Sequence, residues 1–260
     1  MALRRMEDVC GCLPVGRHYP GIADRIARAV AHVEGLVEEF EPSASWQRLP
    51  VVALDVETTG RSHETDRVIE IGVVRFEGGL VVSRKGWFVD PGVSIPEEVQ
   101  QLTGIRPEDV QGQPSFAERL PELIEALQGA LPLAYNAPFD QGFLLAEFGR
   151  VDGSEQAGGA PLPPALRPGT QWLDPLVWVR ELLATELRRK RLGDACEYLG
   201  VPLHQAHRAT DDAEAAGRVL FALAERGGVP ASYAELVRLQ RQYAARQEAE
   251  FQRRRGGRGT

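Results

Sequence analysis

The apolar positions Ile22, Ile26, Ala29, Val30, Val33, Leu36, Val37 and Phe40 recur every three or four residues, which predicts an amphipathic helix stopped by Pro42. Such a stripe needs a surface to cover it. The period changes after Pro50. Val51 to Val56 is a continuous apolar run, read as a strand buried on both faces. Val68 to Phe76 and Leu80 to Val89 are β-rich stretches joined across Gly78-Gly79, a hairpin signal because tight hairpin turns need positive φ. Helical spacing takes over beyond Ser94. Ser94 with Glu97 and Ser115 with Glu118 both have capping-box spacing, the second opening a helix through about Gln128. Leu131 to Tyr135 reads as another short strand and Asn136 to Gly149 as a helix. The Gly/Pro-rich stretch 151–169 is too long for a routine connection. Further helices are predicted at Asp174 to Leu187, Leu192 to Leu199 and Thr210 to Glu225.

Strands first, then strands interleaved with helices, predict a three-layer α/β domain with a mixed, mainly five-stranded sheet. The predicted boundaries are 1–49 for an N-terminal extension with an amphipathic helix, 50–226 for the α/β domain, and 227–260 for a C-terminal helix and basic tail. Composition adds exclusions. With 260 residues, 43% hydrophobic and 26% charged, the chain can build an ordinary core, so neither a disordered chain nor a disulfide-held miniprotein fits. A net charge of −7 excludes a generally basic nucleic-acid scaffold, but not a local cleft that meets phosphates through metal ions. Cys10, Cys12 and Cys196 lack zinc spacing and read as reduced thiols in a cytoplasmic protein. Glu7 and Asp8 stand where a leader would need apolar residues, and no 18-residue apolar run occurs, so no membrane partner is expected.

The chemistry concentrates where strands end and helices begin. In VVALDVETTG, Asp55 and Glu57 are two apart on a strand and leave the same face, while Val56 points to the other. A lone D-x-E is most simply a strand surfacing into a turn, but buried carboxylates are costly without a cation. Asp140, in AYNAPFD, opens a helix on the same stripe as Phe143, Leu144 and Phe148. Taken alone it is a helix-start carboxylate favoured by the dipole. In HRATDDAEAA, His207 stands five residues before Asp212. Helical phase lines Asp212 up with Ala216, Leu220 and Leu223 toward the core, and Asp211 with Ala215, Arg218 and Glu225 toward solvent. Four acids and a histidine so placed can converge at the strand ends of an open sheet. Their oxygens suit magnesium or manganese better than zinc, two such ions can drive phosphoryl displacement, and the histidine is placed to serve as a general base. His18, His32, His63 and His204 read as surface residues, and Trp87, Trp172 and Trp178 as core.

These motifs resemble the DEDDh 3′-to-5′ exonucleases, which include the proofreading epsilon subunits and exonuclease domains of bacterial DNA polymerase III. LDVETTG is similar to the first exonuclease motif, YNAPFD to the second and HRATDDAEA to the third, in the right order; IEIGVVRF, LTGI and RLGDACEYLGV extend the likeness. The resemblance implies a ribonuclease H-like fold and release of nucleoside 5′-monophosphates from DNA 3′ ends, in proofreading or repair. It further implies two Mg2+ or Mn2+ ions held by Asp55, Glu57, Asp140 and Asp212, with His207 as base. Thr58 and Thr59 would touch the terminal nucleotide, and Glu98 and Thr103 its sugar or base. Implied partners are single-stranded or frayed DNA ends, possible RNA ends, and a polymerase met through the terminal extensions. RNA trimming is the nearest alternative, and a noncatalytic nucleic-acid or polymerase-binding module a further one. Tyr135 departs from the histidine that many members carry before Asn-Ala.

Overall fold

Strand β1 (Val51–Thr58) lies inside a mixed sheet, between β2 (Val68–Glu77) and β4 (Leu131–Leu133), with β3 (Leu80–Phe88) outside β2. The computed structural model describes residues 33–151, 161–204 and 207–256, which belong to one compact unit beginning at Val33. β1, β2 and β3 pair antiparallel, and β4 runs parallel to β1. The hairpin turn forms as expected, with Gly78 at φ 57 and Gly79 at φ 81, a conformation that costs glycine little.

The sheet among the described residues has four strands rather than five. The fifth lane is a single parallel bridge between Leu133 and Leu173. Asp174 caps a helix directly after that bridge, with Pro175 as the first helical residue, so the chain leaves the sheet before a strand can form.

One sheet face presents Val51, Ala53, Val74 and Phe76. It is covered from α7 (Ala209–Glu225), with α5 (Pro175–Leu182), α6 (Leu192–Leu199) and α8 (Tyr233–Gly256) completing that core. Small residues let α7 sit close: a Cβ on Gly217 would lie 2.4 Å from the Phe76 ring. The other face presents Val52, Leu54, Val56, Ile71 and Val73 to α3 (Phe116–Leu127) and α4 (Ala137–Arg150). A satellite cluster of Ile69, Ile95, Ile105 and Val110 seats α1 (Glu97–Thr103) and α2 (Pro107–Val110) beside the sheet. Each fully buried aliphatic or aromatic side chain in these layers contributes about 1.5–3 kcal/mol.

Several local expectations are corrected. The capping box at Ser115 and Glu118 forms, whereas α1 starts at Glu97 behind Pro96, so Ser94 is too far upstream to cap it. α5 stops at Leu182 rather than Leu187, and the Lys190 ammonium closes back on the Ala184 and Leu187 carbonyls. Trp172 and Trp178 are buried, but Trp87 lies half-exposed on the edge strand and donates to Glu122. The helix expected over 22–40 is not helical where it is described, from Val33 onward. Gly35 has φ 88 and its carbonyl accepts from Gln171, so the segment turns there instead of continuing a helix. The rest of that expected helix, Cys10, Cys12, His18, His32, residues 152–160 and the last four residues lie outside the described residues.

Two segments beyond 50–226 contribute to the core. Val37 and Trp46 on one side and Tyr233, Leu236 and Val237 of α8 on the other join the α7-side cluster, and the Tyr233 hydroxyl accepts from the Val37 N–H. No helix among the described residues is long and apolar enough to cross a membrane.

Candidate active site

Register decides which side chains share a face. Asp55 pairs with Gly72 and Glu57 with Glu70 across β1 and β2, and Gly72 pairs in turn with Gly86 of β3. Asp55, Glu57 and Glu70 therefore stand on the α7 face at the end of β1, and Val56 packs into the opposite core. The two glycines make room there. A Cβ on Gly72 would lie 2.1 Å from the Ala209 carbonyl carbon, and one on Gly86 2.5 Å from the Thr210 hydroxyl. The first turn of α7 thus rests on bare backbone beside the carboxylates.

That turn delivers Asp212. Glu57, His207 and Asp212 each offer a ligand atom within 4.8 Å of the others. His207 is exposed on a left-handed backbone, φ 65, and its N–H donates to Asp212 Oδ2 at 3.0 Å. Asp211 faces β3 rather than open solvent and pairs with Arg84 at 2.6 Å. Asp140 comes from the other layer: it is buried in the first turn of α4, and its Oδ1 accepts the Val56 N–H at 3.0 Å. Asp55 and Asp140 fall outside that group of three, but both interact electrostatically with its carboxylates.

Burial first, then Asp140, Asp212, Glu57 and Glu70, holds the Asp55 carboxyl well above the usual range. Burial likewise raises Asp140, against the pull of the Val56 N–H. Glu57 is pushed up to about 7 by burial, Asp212 and Glu70, with Arg208 opposing. Asp212 is raised by burial, and the His207 N–H counters. A group of carboxyls that resists ionising together is chemically matched to a hard divalent cation bound through oxygen. Asp55, Glu57, Asp140 and Asp212 are the residues that would hold such ions.

The expected substrate contacts are placed as follows. Thr58 is buried and its hydroxyl donates to the Gly60 carbonyl; the Thr59 hydroxyl accepts the Arg67 N–H. The Thr103 hydroxyl donates to the Val99 carbonyl and accepts the Ile105 N–H, and Glu98 is exposed on α1.

Two supporting carboxylates were missed in the sequence. Glu70 is 3% exposed, pairs with Arg208 at 2.8 Å and accepts the Ala209 N–H, so it anchors the start of α7; Arg208 also stacks on Phe88. A lone acid inside the apolar run VIEIGVV was its signal. Asp174, expected to open a helix, does so, but its carboxylate also accepts the Asn136 and Ala137 N–H groups that begin α4. Burial pushes Asp174 up to about 6 against those donors.

The sequence pattern of the family described as exonuclease (RNase T) matches residues 52–220, which hold all five predicted catalytic residues. Over 172 residues the chain is 34% identical to a PolC-type DNA polymerase III from Clostridium perfringens, covering 65% of this chain and 11% of that protein. Over 199 residues it is 31% identical to the PolC-type DNA polymerase III of Thermotoga maritima, covering 76% of this chain and 14% of that one. The chain therefore spans only 11–14% of the length of these relatives. Among solved structures it is similar to the zinc-bound form of an E. coli exonuclease I complex with single-stranded DNA, with TM-score 0.57 and 20% identity over 69% of this chain and 41% of that one. It is also similar to exonuclease X in complex with 5′-overhanging duplex DNA, with TM-score 0.53 and 18% identity over 72% of this chain and 99% of that one. At such identities the likeness is one of fold, the ribonuclease H-like fold expected from the motifs.

Proposed function

This chain belongs to the exonuclease (RNase T) family, and from that premise we propose that it is a divalent-metal-dependent 3′-to-5′ exonuclease releasing nucleoside 5′-monophosphates from single-stranded or frayed DNA ends. One observation carries the reading. Two helices from opposite layers, α4 and α7, each bring a carboxylate in their first turn to the Asp55 and Glu57 end of β1, with His207 beside Glu57 and Asp212.

Asp55, Glu57, Asp140 and Asp212 would hold two magnesium or manganese ions, whose charge helps to ionise a water and to stabilise the leaving oxygen of a phosphodiester. The rest falls to the chain. His207, exposed at the mouth, accepts the proton of the attacking water, and the bond from its backbone N–H to Asp212 ties this residue's backbone to the site. Arg208, held on Glu70, keeps the adjacent turn in place. Thr58 and Thr59 would touch the terminal nucleotide and Glu98 and Thr103 its sugar or base; Glu98 is exposed, and the three threonine hydroxyls already hold local hydrogen bonds. Because the relatives are named as DNA polymerases, the setting we propose is proofreading or repair in contact with a polymerase.

The test is a set of 5′-labelled substrates: single-stranded DNA, matched duplex, mismatched duplex and RNA, each with and without magnesium or manganese. The expected result is a metal-dependent ladder shortening from the 3′ end, strongest on single-stranded and mismatched DNA. Release of the labelled 5′ nucleotide first, or full activity in chelator, would overturn the reading. Preference for RNA would move the substrate to the alternative trimming role.

A further inference from the structure

α8 lies beyond the residues that match the family, yet it reaches into the scaffold of the site through one side chain. Gln240 is 1% exposed. Its Oε1 accepts the Asp174 N–H at 2.8 Å and the Trp178 indole N–H at 3.3 Å, and its Nε2 donates to the Trp172 carbonyl at 2.8 Å. A polar amide in this position is expensive to bury unless satisfied, and here every contact is to the corner where the chain leaves the sheet for α5. That corner is also held to β4, since the Leu173 N–H donates to Pro132 and the Leu173 carbonyl accepts from Ala134.

The corner in turn holds the start of α4. The Asp174 carboxylate accepts the N–H groups of Asn136 at 3.0 Å and Ala137 at 3.2 Å, besides that of Leu176 at 2.9 Å. Asn136 needs this support, because its backbone is left-handed at φ 72, a conformation that favours neither helix nor strand. Asp140 follows one turn later and meets β1 through the Val56 N–H. A small rotation of the first turn of α4 would break that bond and swing the carboxylate away from Asp55.

We propose that α8 is part of the active-site scaffold and that Gln240 is a positioning residue for Asp140, acting through Asp174 and the Asn136–Ala137 backbone. The inference rests on the reading of Asp140 as a metal-binding carboxylate. Residues at one remove from a metal typically alter its affinity by about 10–100-fold when replaced.

The experiment measures Mn2+ affinity of the full chain by calorimetry without substrate, together with kcat and KM on single-stranded DNA, for Gln240→Met, Asp174→Asn, their double variant, Asp140→Ala and Val237→Ala. Val237, one turn before Gln240 on α8, packs into the same core through an apolar side chain that makes no hydrogen bond to the corner, so it controls for lost stability. Gln240→Met and Asp174→Asn are each expected to weaken Mn2+ binding about 10-fold or more and to lower kcat with little change in KM. The double variant should lose no more than the worse single one, because both act on one path. Val237→Ala should lower the melting temperature and leave Mn2+ affinity unchanged. Unchanged affinity in Gln240→Met and Asp174→Asn, or an equal loss in Val237→Ala, overturns the proposal. If Gln240→Met does not fold, Asp174→Asn against Val237→Ala decides by the same criterion. Asp140→Ala separates the two levels: wild-type binding and turnover there would sink the metal reading itself, whereas a loss there with intact Gln240→Met would sink only the role of α8.

Discussion

The starts of α4 and α7 perform the same task by opposite means. Each follows a non-glycine residue with positive φ, Asn136 at 72 and His207 at 65, the two such residues among those described. Each helix brings a carboxylate to β1 in its first turn, and each has its leading N–H groups held by a buried acid from elsewhere, Asp174 for α4 and Glu70 for α7. The surroundings differ. Around α4, Ala137, Asp140 and Asp174 are all buried, and Gln240 closes the corner from behind. Around α7, His207 is exposed, the Arg208 side chain is 42% exposed, and the Ala209 N–H reaches Glu70 at a loose 3.4 Å. One start is a fixed frame and the other an open rim. On the function proposed above, the first start fixes Asp140, and the second leaves His207 beside Asp212 open to incoming substrate.

The largest effects should come from removing either helix's carboxylate. Asp140→Ala and Asp212→Ala are each expected to lower turnover by about 10²–10³-fold or more at saturating metal, as loss of a preorganised charge does. Asp211→Ala, which loses its contact with Arg84, should stay within a few-fold. A strong loss in Asp211→Ala with an active Asp212→Ala would show that the rim was built around the wrong acid.

His207→Ala should slow the chemical step by about 10²–10⁴-fold in single-turnover measurements while Mn2+ affinity holds within a few-fold. Here the two starts should separate, because Asp140→Ala is expected to lose both. If His207→Ala instead lost DNA affinity with turnover intact, the exposed rim would be a substrate contact and not the base.

Gly72→Ala tests how closely α7 must approach. The new Cβ meets Ala209 backbone, which cannot swing aside as a side chain would, so we expect about 1–3 kcal/mol of destabilisation and a displaced α7 start. Urea unfolding measures the first and activity the second. Wild-type stability and rate would mean that the rim tolerates more space than its geometry implies.

The smallest effect is on stability against pH without metal. Glu57, raised from 4.5 to about 7, keeps a proton in the folded protein that the unfolded chain has already released. Its contribution is therefore full below the unfolded value and is lost as pH rises through about 7. Asp174, raised from 3.8 to about 6, acts with the same sign in a lower window. The melting temperature in chelator should fall as pH rises from about 5 to 8, and Glu57→Gln should flatten the upper part of that fall. Saturating manganese should raise the melting temperature most at the alkaline end, because binding at a hundred times Kd adds about 2.7 kcal/mol to the native state. A curve in chelator that is flat or rises with pH would contradict the crowding of these carboxyls.

What could be read from the chain alone followed from local periodicity and spacing. The alternation across LDVET placed Asp55 and Glu57 on one face and Val56 on the other, the Gly78-Gly79 pair gave the hairpin, and helical phase turned Asp212 rather than Asp211 toward the carboxylates. Those outcomes depend on neighbours within a few residues, whose geometry is set by the strand period of two and the helix period of 3.6. The rest depended on partners far away in sequence. Gly35 broke the expected first helix because its carbonyl met Gln171, and the fifth strand shrank to a bridge because Asp174 was drawn into capping two helices at once. Glu70 beneath Ala209, and Gln240 behind Asp174, are separated from what they support by 139 and 66 residues and carry no periodic signature of their own. Hydrophobic pattern specifies which face of an element is buried, but the hydrogen bonds and charges that hold a site are satisfied between elements, and only the folded chain brings those groups within reach.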